Sequence, residues 1–177
     1  MRRETWLADT VEVTVSGVFR TRHLVQTATG ILGELTMPAL RRKAVFRTAG
    51  GRELIIERTS WWRGTYELRE DGAVLGTARP LGIFRRENVV RFGDHDYRLR
   101  AAGFWGRIWH LVDDGPAAEG EIVVAFRPRG VFRRGAILQI LSPVDLHLLV
   151  FAYYVVNARW QEQSAAAGAG AGAAAAS

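Results

Sequence analysis

Apolar and polar positions alternate through most of this chain. Val11, Val13 and Val15 fall on one side of an extended backbone and Glu12 and Thr14 on the other. That two-residue period is the mark of a half-buried strand. Residues 44–48 and 53–58 read as a hairpin about the turn Ala49-Gly50-Gly51. Residues 65–69 turn Tyr66 and Leu68 inward and Glu67 and Arg69 outward. Asp71-Gly72 then predicts a type I′ turn, which needs positive φ at both central positions, before residues 73–79 return. Residues 89–92 and 97–100 flank a polar turn at 93–96. Residues 108–112 and 121–127 flank a turn at 113–116, with Ile122, Val124 and Phe126 on a shared face. Ten to twelve short strands at this spacing predict an all-β barrel or sandwich.

The period breaks at residues 142–159. Ser142 is a capping residue, Pro143 suits a first helical position, and Asp145 complements the positive end of a helix dipole. From Leu146 to Val156 nearly every position is apolar or aromatic, so no face of the helix is left for water. The uninterrupted run, residues 148–156, is too short for the ~20 residues that a bilayer span needs. A buried central helix following the strands is the expectation.

The chain repeats itself. Arg79-Pro80-Leu81-Gly82-Ile83-Phe84-Arg85-Arg86 returns as Arg127-Pro128-Arg129-Gly130-Val131-Phe132-Arg133-Arg134. The segments before them also align, Trp62-Arg63-Gly64-Thr65-Tyr66-Glu67-Leu68 with Trp105-Gly106-Arg107-Ile108-Trp109-His110-Leu111. A fainter copy runs from Gly17 through Leu24, Gly33 and Pro38 to Arg41-Arg42. Each copy is an aromatic strand, a turn, a strand ending at proline and an Arg-Arg corner. It has one apolar face that it cannot bury alone. Closing the copies into a barrel also removes exposed strand edges.

At 177 residues and 48% hydrophobic content, one sizeable domain fits. It is expected to occupy residues 1–163, with the helix near residues 142–160. The Ala/Gly tract at residues 164–177 is expected to be a disordered tail, since it buries too little surface to offset its ordering entropy. The chain has no cysteine, which excludes disulfides and thiolate metal sites and fits a reducing compartment. No apolar leader segment is visible near Met1. The net charge is +6, carried almost wholly by arginine, with Lys43 the only lysine.

With a β-barrel and a hydrophobic C-terminal helix in view, the chain resembles the tubby C-terminal-like superfamily, which includes LURP-one-related proteins and phospholipid scramblases. The resemblance rests on Trp61-Trp62-Arg63-Gly64-Thr65-Tyr66-Glu67-Leu68, on Val74-Leu75-Gly76-Thr77-Ala78-Arg79 after the Asp-Gly turn, and on the helix at residues 145–156. It spans roughly residues 11–161. It implies a closed antiparallel β-barrel of about twelve strands around a buried hydrophobic C-terminal α-helix. It also implies a scramblase-like or phosphoinositide-binding relation to lipid. The family's lipid-contacting lysines have no positional counterparts in this nearly lysine-free chain.

The candidate lipid- or anion-binding residues are therefore the basic corners: Arg41, Arg42, Lys43, Arg85, Arg86, Arg133 and Arg134. Arginine pairs bidentately with phosphate, and a cationic patch gains ~1 kcal/mol per basic residue at an anionic membrane. The plainer reading is a set of solvated turn arginines. Asp94-His95-Asp96 lies in a turn whose side chains diverge, which argues against a metal or acid–base cluster. His147 is read as a satisfied core residue and His110 as a surface strand position. No nucleophile-elbow, Walker or zinc-protease pattern occurs, so neither an enzymatic activity nor a cofactor is expected. The six tryptophans suit a filled barrel, a membrane interface or stacking on single-stranded nucleic acid. The expected function is a monomeric, non-enzymatic cytoplasmic module that binds anionic phospholipid at the inner membrane face. The alternative is a protein-interaction or scaffold domain without a lipid role, with nucleic-acid binding a lesser alternative.

Overall fold

Strand periodicity is realised in twelve consecutive antiparallel strands whose first and last members pair. The computed structural model describes residues 5–6, 9–18, 20–38, 43–60, 62–82, 86–103, 107–116, 118, 120–130 and 134–174, with backbone alone at 5–6 and 167–174. A short strand β1 (Thr5–Trp6) precedes the barrel. The barrel strands begin with β2 (Thr10–Ser16), β3 (Arg20–Thr27), β4 (Gly30–Pro38) and β5 (Lys43–Thr48). They continue with β6 (Glu53–Ser60), β7 (Thr65–Glu70), β8 (Ala73–Leu81) and β9 (Glu87–Phe92). The last four are β10 (His95–Ala102), β11 (Ile108–Asp113), β12 (Ile122–Pro128) and β13 (Gly135–Ile140). Each strand pairs with the next in the chain, and β13 closes the ring on β2, with Leu138 opposite Val11. The closed twelve-stranded barrel is thus the fold that the sequence pattern and the resemblance led one to expect.

The strands turn alternate residues into the lumen. Val11 and Val13, Phe46, Leu54 and Ile56, Tyr66 and Leu68, Trp109 and Leu111, and Val124 and Phe126 are all buried. Asp71 and Gly72 both have positive φ, 48° and 82°, as the expected type I′ turn requires. A barrel of about eight strands can be filled by side chains alone, and a wider one leaves a lumen. Here the helix α1 (Leu146–Ala174) fills it. Phe151, Ala152, Val155 and Val156 are completely buried, and every residue from Leu146 to Val156 is buried. Gly76 faces inward where strand and helix approach closely. A Cβ there would lie 2.9 Å from the Arg91 carbonyl oxygen and 3.6 Å from the Phe151 ring.

Three details differ from the sequence expectation. The helix starts at Leu146, not near Ser142. Val144–Asp145 form the short strand β14, which pairs with β1, and Asp145 caps the helix by accepting a hydrogen bond from the His147 N–H at 2.7 Å. The Ser142 hydroxyl instead donates to Glu121. Residues 135–140, which carry no turn signal before the helix, are a strand. Ala136, Leu138 and Ile140 point inward while Ile137 and Gln139 point out. The helical backbone also continues through Ala174 rather than ending near residue 160 in a disordered tail. Alanine has the highest helix propensity, which favours extension of an existing helix despite the interspersed glycines.

Candidate functional site

The up-and-down order sends every second connection to the same end of the barrel. One end, the entry rim, holds the β3–β4, β5–β6, β7–β8 and β9–β10 turns and the start of the helix. At the other, the exit rim, the helix leaves the lumen: Arg159 reaches Asn88 at the start of β9, and the Trp160 Nε1–H donates to the Arg107 carbonyl at 3.0 Å. The strand ends that flank the three basic corners all lie on this exit rim. Pro38 and Lys43 flank the first, Leu81 and Glu87 the second, Pro128 and Gly135 the third.

Of the candidate residues, Lys43, Arg86 and Arg134 are described, and all three are exposed. Arg41, Arg42, Arg85 and Arg133 lie outside the described residues. Lys43 is 3.9 Å from Glu57 across β5–β6. Arg86 donates to the Gly103 carbonyl at 2.9 Å and Arg134 to the Gly17 carbonyl at 3.5 Å. These bonds hold the arginine stems across neighbouring connections while the side chains stay accessible to water.

The two rims differ sharply in composition. The six connections between strand ends at the exit rim contain Arg41, Arg42, Arg63, Arg85, Arg86, Arg107, Arg129, Arg133 and Arg134, and neither aspartate nor glutamate. Phe19, Trp61, Trp62, Phe84, Phe104, Trp105 and Phe132 are interleaved with them in sequence. The connections at the entry rim contain Arg52 but Asp71, Asp94, Asp114, Glu119 and Glu121, and no aromatic residue. Basic corners also alternate with aromatic connections around the exit rim, because each copy of the internal repeat contributes one of each. Trp62 is 88% exposed, so it departs from the barrel-filling role expected of the tryptophans, whereas Trp109 fulfils that role. Trp61 and Trp105 lie outside the described residues.

A polar collar surrounds the helix just beneath this rim. Glu162 accepts from Arg159 at 2.9 Å on one carboxylate oxygen and from Arg58 at 3.3 Å on the other. Arg159 also donates to Asn88 Oδ1 at 2.7 Å, and the Arg58 guanidinium lies 5.6 Å from the centre of the Tyr66 ring. Sequence reasoning missed this collar. The available signal was the first pair of opposite charges after an all-apolar helix, Arg159 and Glu162, three residues apart and therefore on one helical face.

Deeper in the lumen, His23 Nδ1 is 2.8 Å from the Tyr153 hydroxyl and Nε2 is 3.3 Å from Thr21 Oγ1, which itself donates to the Met37 carbonyl. Burial lowers the His23 pKa to about 4 and raises that of Tyr153, so both groups are neutral. Tyr153 therefore donates to Nδ1, and Nε2–H donates to Thr21. His110 is half-buried and its pKa is lowered, first by burial and then by Arg127. At the entry rim His95 Nε2 lies 2.6 Å from Asp113 Oδ1, which also accepts the Gly115 N–H. Asp96 instead faces Arg91 at 4.0 Å. Among the described residues no three His, Asp or Glu side chains converge as metal ligands would, and no helix is long and apolar enough to cross a membrane. Comparisons with protein-family models, curated proteins and solved structures found no match.

Proposed function

We propose that this protein is a peripheral module that docks on anionic phospholipid by its exit rim, in keeping with its resemblance to tubby-like domains. The observation that carries the reading is the asymmetry between the rims. All three basic corners and the aromatic connections belong to one end of the barrel, and the acidic turns belong to the other. Arginine binds lipid phosphate, and aromatic rings settle at the headgroup level where one side is apolar and the other wet. The acidic rim would face away, so the barrel has a single electrostatically favoured orientation. The helix needs no insertion, because its apolar length is already covered by strands.

Sedimentation with vesicles tests the proposal. The full chain should pellet with phosphatidylserine-containing vesicles and not with phosphatidylcholine alone. Replacing Arg85, Arg86, Arg133 and Arg134 together by Gln removes ~1 kcal/mol each, or about a thousandfold in partitioning. Raising salt should weaken binding too, as exposed charges are screened beyond ~8 Å at physiological ionic strength. Equal binding of wild type and variant to anionic vesicles defeats the proposal. Tighter retention on single-stranded DNA or RNA than on vesicles would reassign the rim to nucleic acid.

A further inference from the structure

Just inside the exit rim, between the helix and strands β4, β6 and β7, lies a cavity of about 460 Å³. That size falls within the ~300–1,000 Å³ usual for small-molecule sites. The helix forms its inner wall. Tyr154, Asn157, Ala158 and Gln161 recur at the spacing of one helical face, so their side chains are presented to the same side. Ala158, in the middle of that stripe, contributes only a methyl group, which leaves space between helix and strands. Met37 and Tyr66 stand across it. The Tyr66 and Tyr154 rings meet edge to face, with 5.7 Å between their centres, and make an aromatic corner.

The polar groups in the lining are of two kinds. Arg58 and Glu162 are turned on each other at 3.3 Å, so the charged part of the lining carries its own counter-ion. The two amides are not so engaged. Asn157 Nδ2 donates only to the Met37 sulfur, at 3.9 Å, and the Gln161 side chain makes no hydrogen bond among the described residues. Both residues are half-buried. Each amide offers a carbonyl acceptor and an NH2 donor, and the two lie about one helical turn apart. A ligand that excludes water here without meeting those groups leaves them unsatisfied, which costs an unmade hydrogen bond. Plain hydrocarbon is therefore disfavoured. An anion would stand beside the Glu162 carboxylate, and a cation beside the Arg58 guanidinium. The lining suits a neutral ligand with a ring for the aromatic corner and the Met37 thioether, and with a donor and an acceptor on one edge.

We infer that this cavity binds a neutral, planar ring compound with an amide-like edge, an aromatic carboxamide or lactam. Its ring lies against Met37, Tyr66 and Tyr154, and its edge exchanges hydrogen bonds with Asn157 and Gln161. The site is separate from the basic corners and does not depend on the membrane reading, because a small water-soluble ligand can occupy it with no bilayer present.

Equilibrium dialysis of the full chain against naphthamide, acetonaphthone and naphthoate tests the inference. The three probes share a ring system and differ at its edge, which carries a donor and an acceptor, an acceptor alone, or a negative charge. Naphthamide should bind at least about tenfold more tightly than either of the others, the lower end of what one unmade buried hydrogen bond costs. Gln161→Met keeps the length of the side chain and removes its amide, so it should cut the preference for naphthamide over acetonaphthone several-fold. Adding Asn157→Leu should erase it. Ala158→Phe puts a ring into the cavity and should weaken all three probes by about tenfold or more. Because the Gln161 side chain holds no bond to the barrel, its replacement keeps the fold even where Ala158→Phe disturbs packing. Acetonaphthone or naphthoate binding as tightly as naphthamide would overturn the inference. So would Gln161→Met with the wild-type preference intact.

Discussion

Replacing His23 by glutamine should remove much of the acid sensitivity of this barrel. His23 sits in the lumen against Tyr153 and Thr21, and burial lowers its pKa from 6.5 to about 4. The unfolded chain therefore takes up a proton between those values that the folded chain refuses. The neutral-His contribution is fully present above pH 6.5 and is lost as the pH falls toward 4. At ~1.4 kcal/mol per pH unit, the full effect is about 3 kcal/mol. Urea unfolding measured from pH 7.5 to 4.5 reads most of it. Wild type should lose between about 2 and 3 kcal/mol more than His23→Gln over that range. Carboxylates that titrate lower down affect both proteins alike, and His110→Gln controls for the other histidine with a lowered pKa. Parallel stability curves for wild type and His23→Gln would refute the argument.

Other consequences of the packing are equally direct. Phe151→Ala should cost about 3–5 kcal/mol in chemical denaturation, as deleting a fully buried aromatic ring does. Phe151→Asp should leave no cooperative unfolding transition, because it puts an unpaired charge in the core. Gly76→Val should destabilise by at least about 1–3 kcal/mol, since the added side chain meets the Arg91 carbonyl and the Phe151 ring. Truncation after Ala166 should lower the helical signal in circular dichroism yet leave Tm nearly unchanged, because residues 163–166 are already exposed. A clear drop in Tm would show that the end of the helix docks on the barrel.

The barrel was legible because Tyr66, Leu68, Val124 and Phe126 obey a strict two-residue period and Asp71-Gly72 marks its turn unambiguously. The central helix was legible because an element without a polar face has to be enclosed. The helix start was not: Ser142 and Asp145 are both good caps, and only the pairing of Val144–Asp145 with Thr5–Trp6 decides between them. The strand at Gly135–Ile140 was masked by its position, since its alternation runs straight into the helical segment with Ser142-Pro143 as the only break. The basic corners were visible as a repeat, but their common rim depends on the parity of the strand count. The collar of Arg58, Asn88, Arg159 and Glu162 was not visible at all, since its members come from distant segments that only barrel closure brings together.

Seam and helix together govern the order in which this chain can be built. Every neighbouring pair of barrel strands is a local hairpin except β13 on β2. Until Ile140 has left the ribosome, the growing sheet has two open edges, and until Val156 follows, its apolar face has nothing to close around. Closure is then a late, non-local step of the kind that slows folding and exposes intermediates to aggregation. Early synthesis products should consequently require chaperones, while a separately supplied peptide of residues 142–163 should rescue a chain that stops after β13.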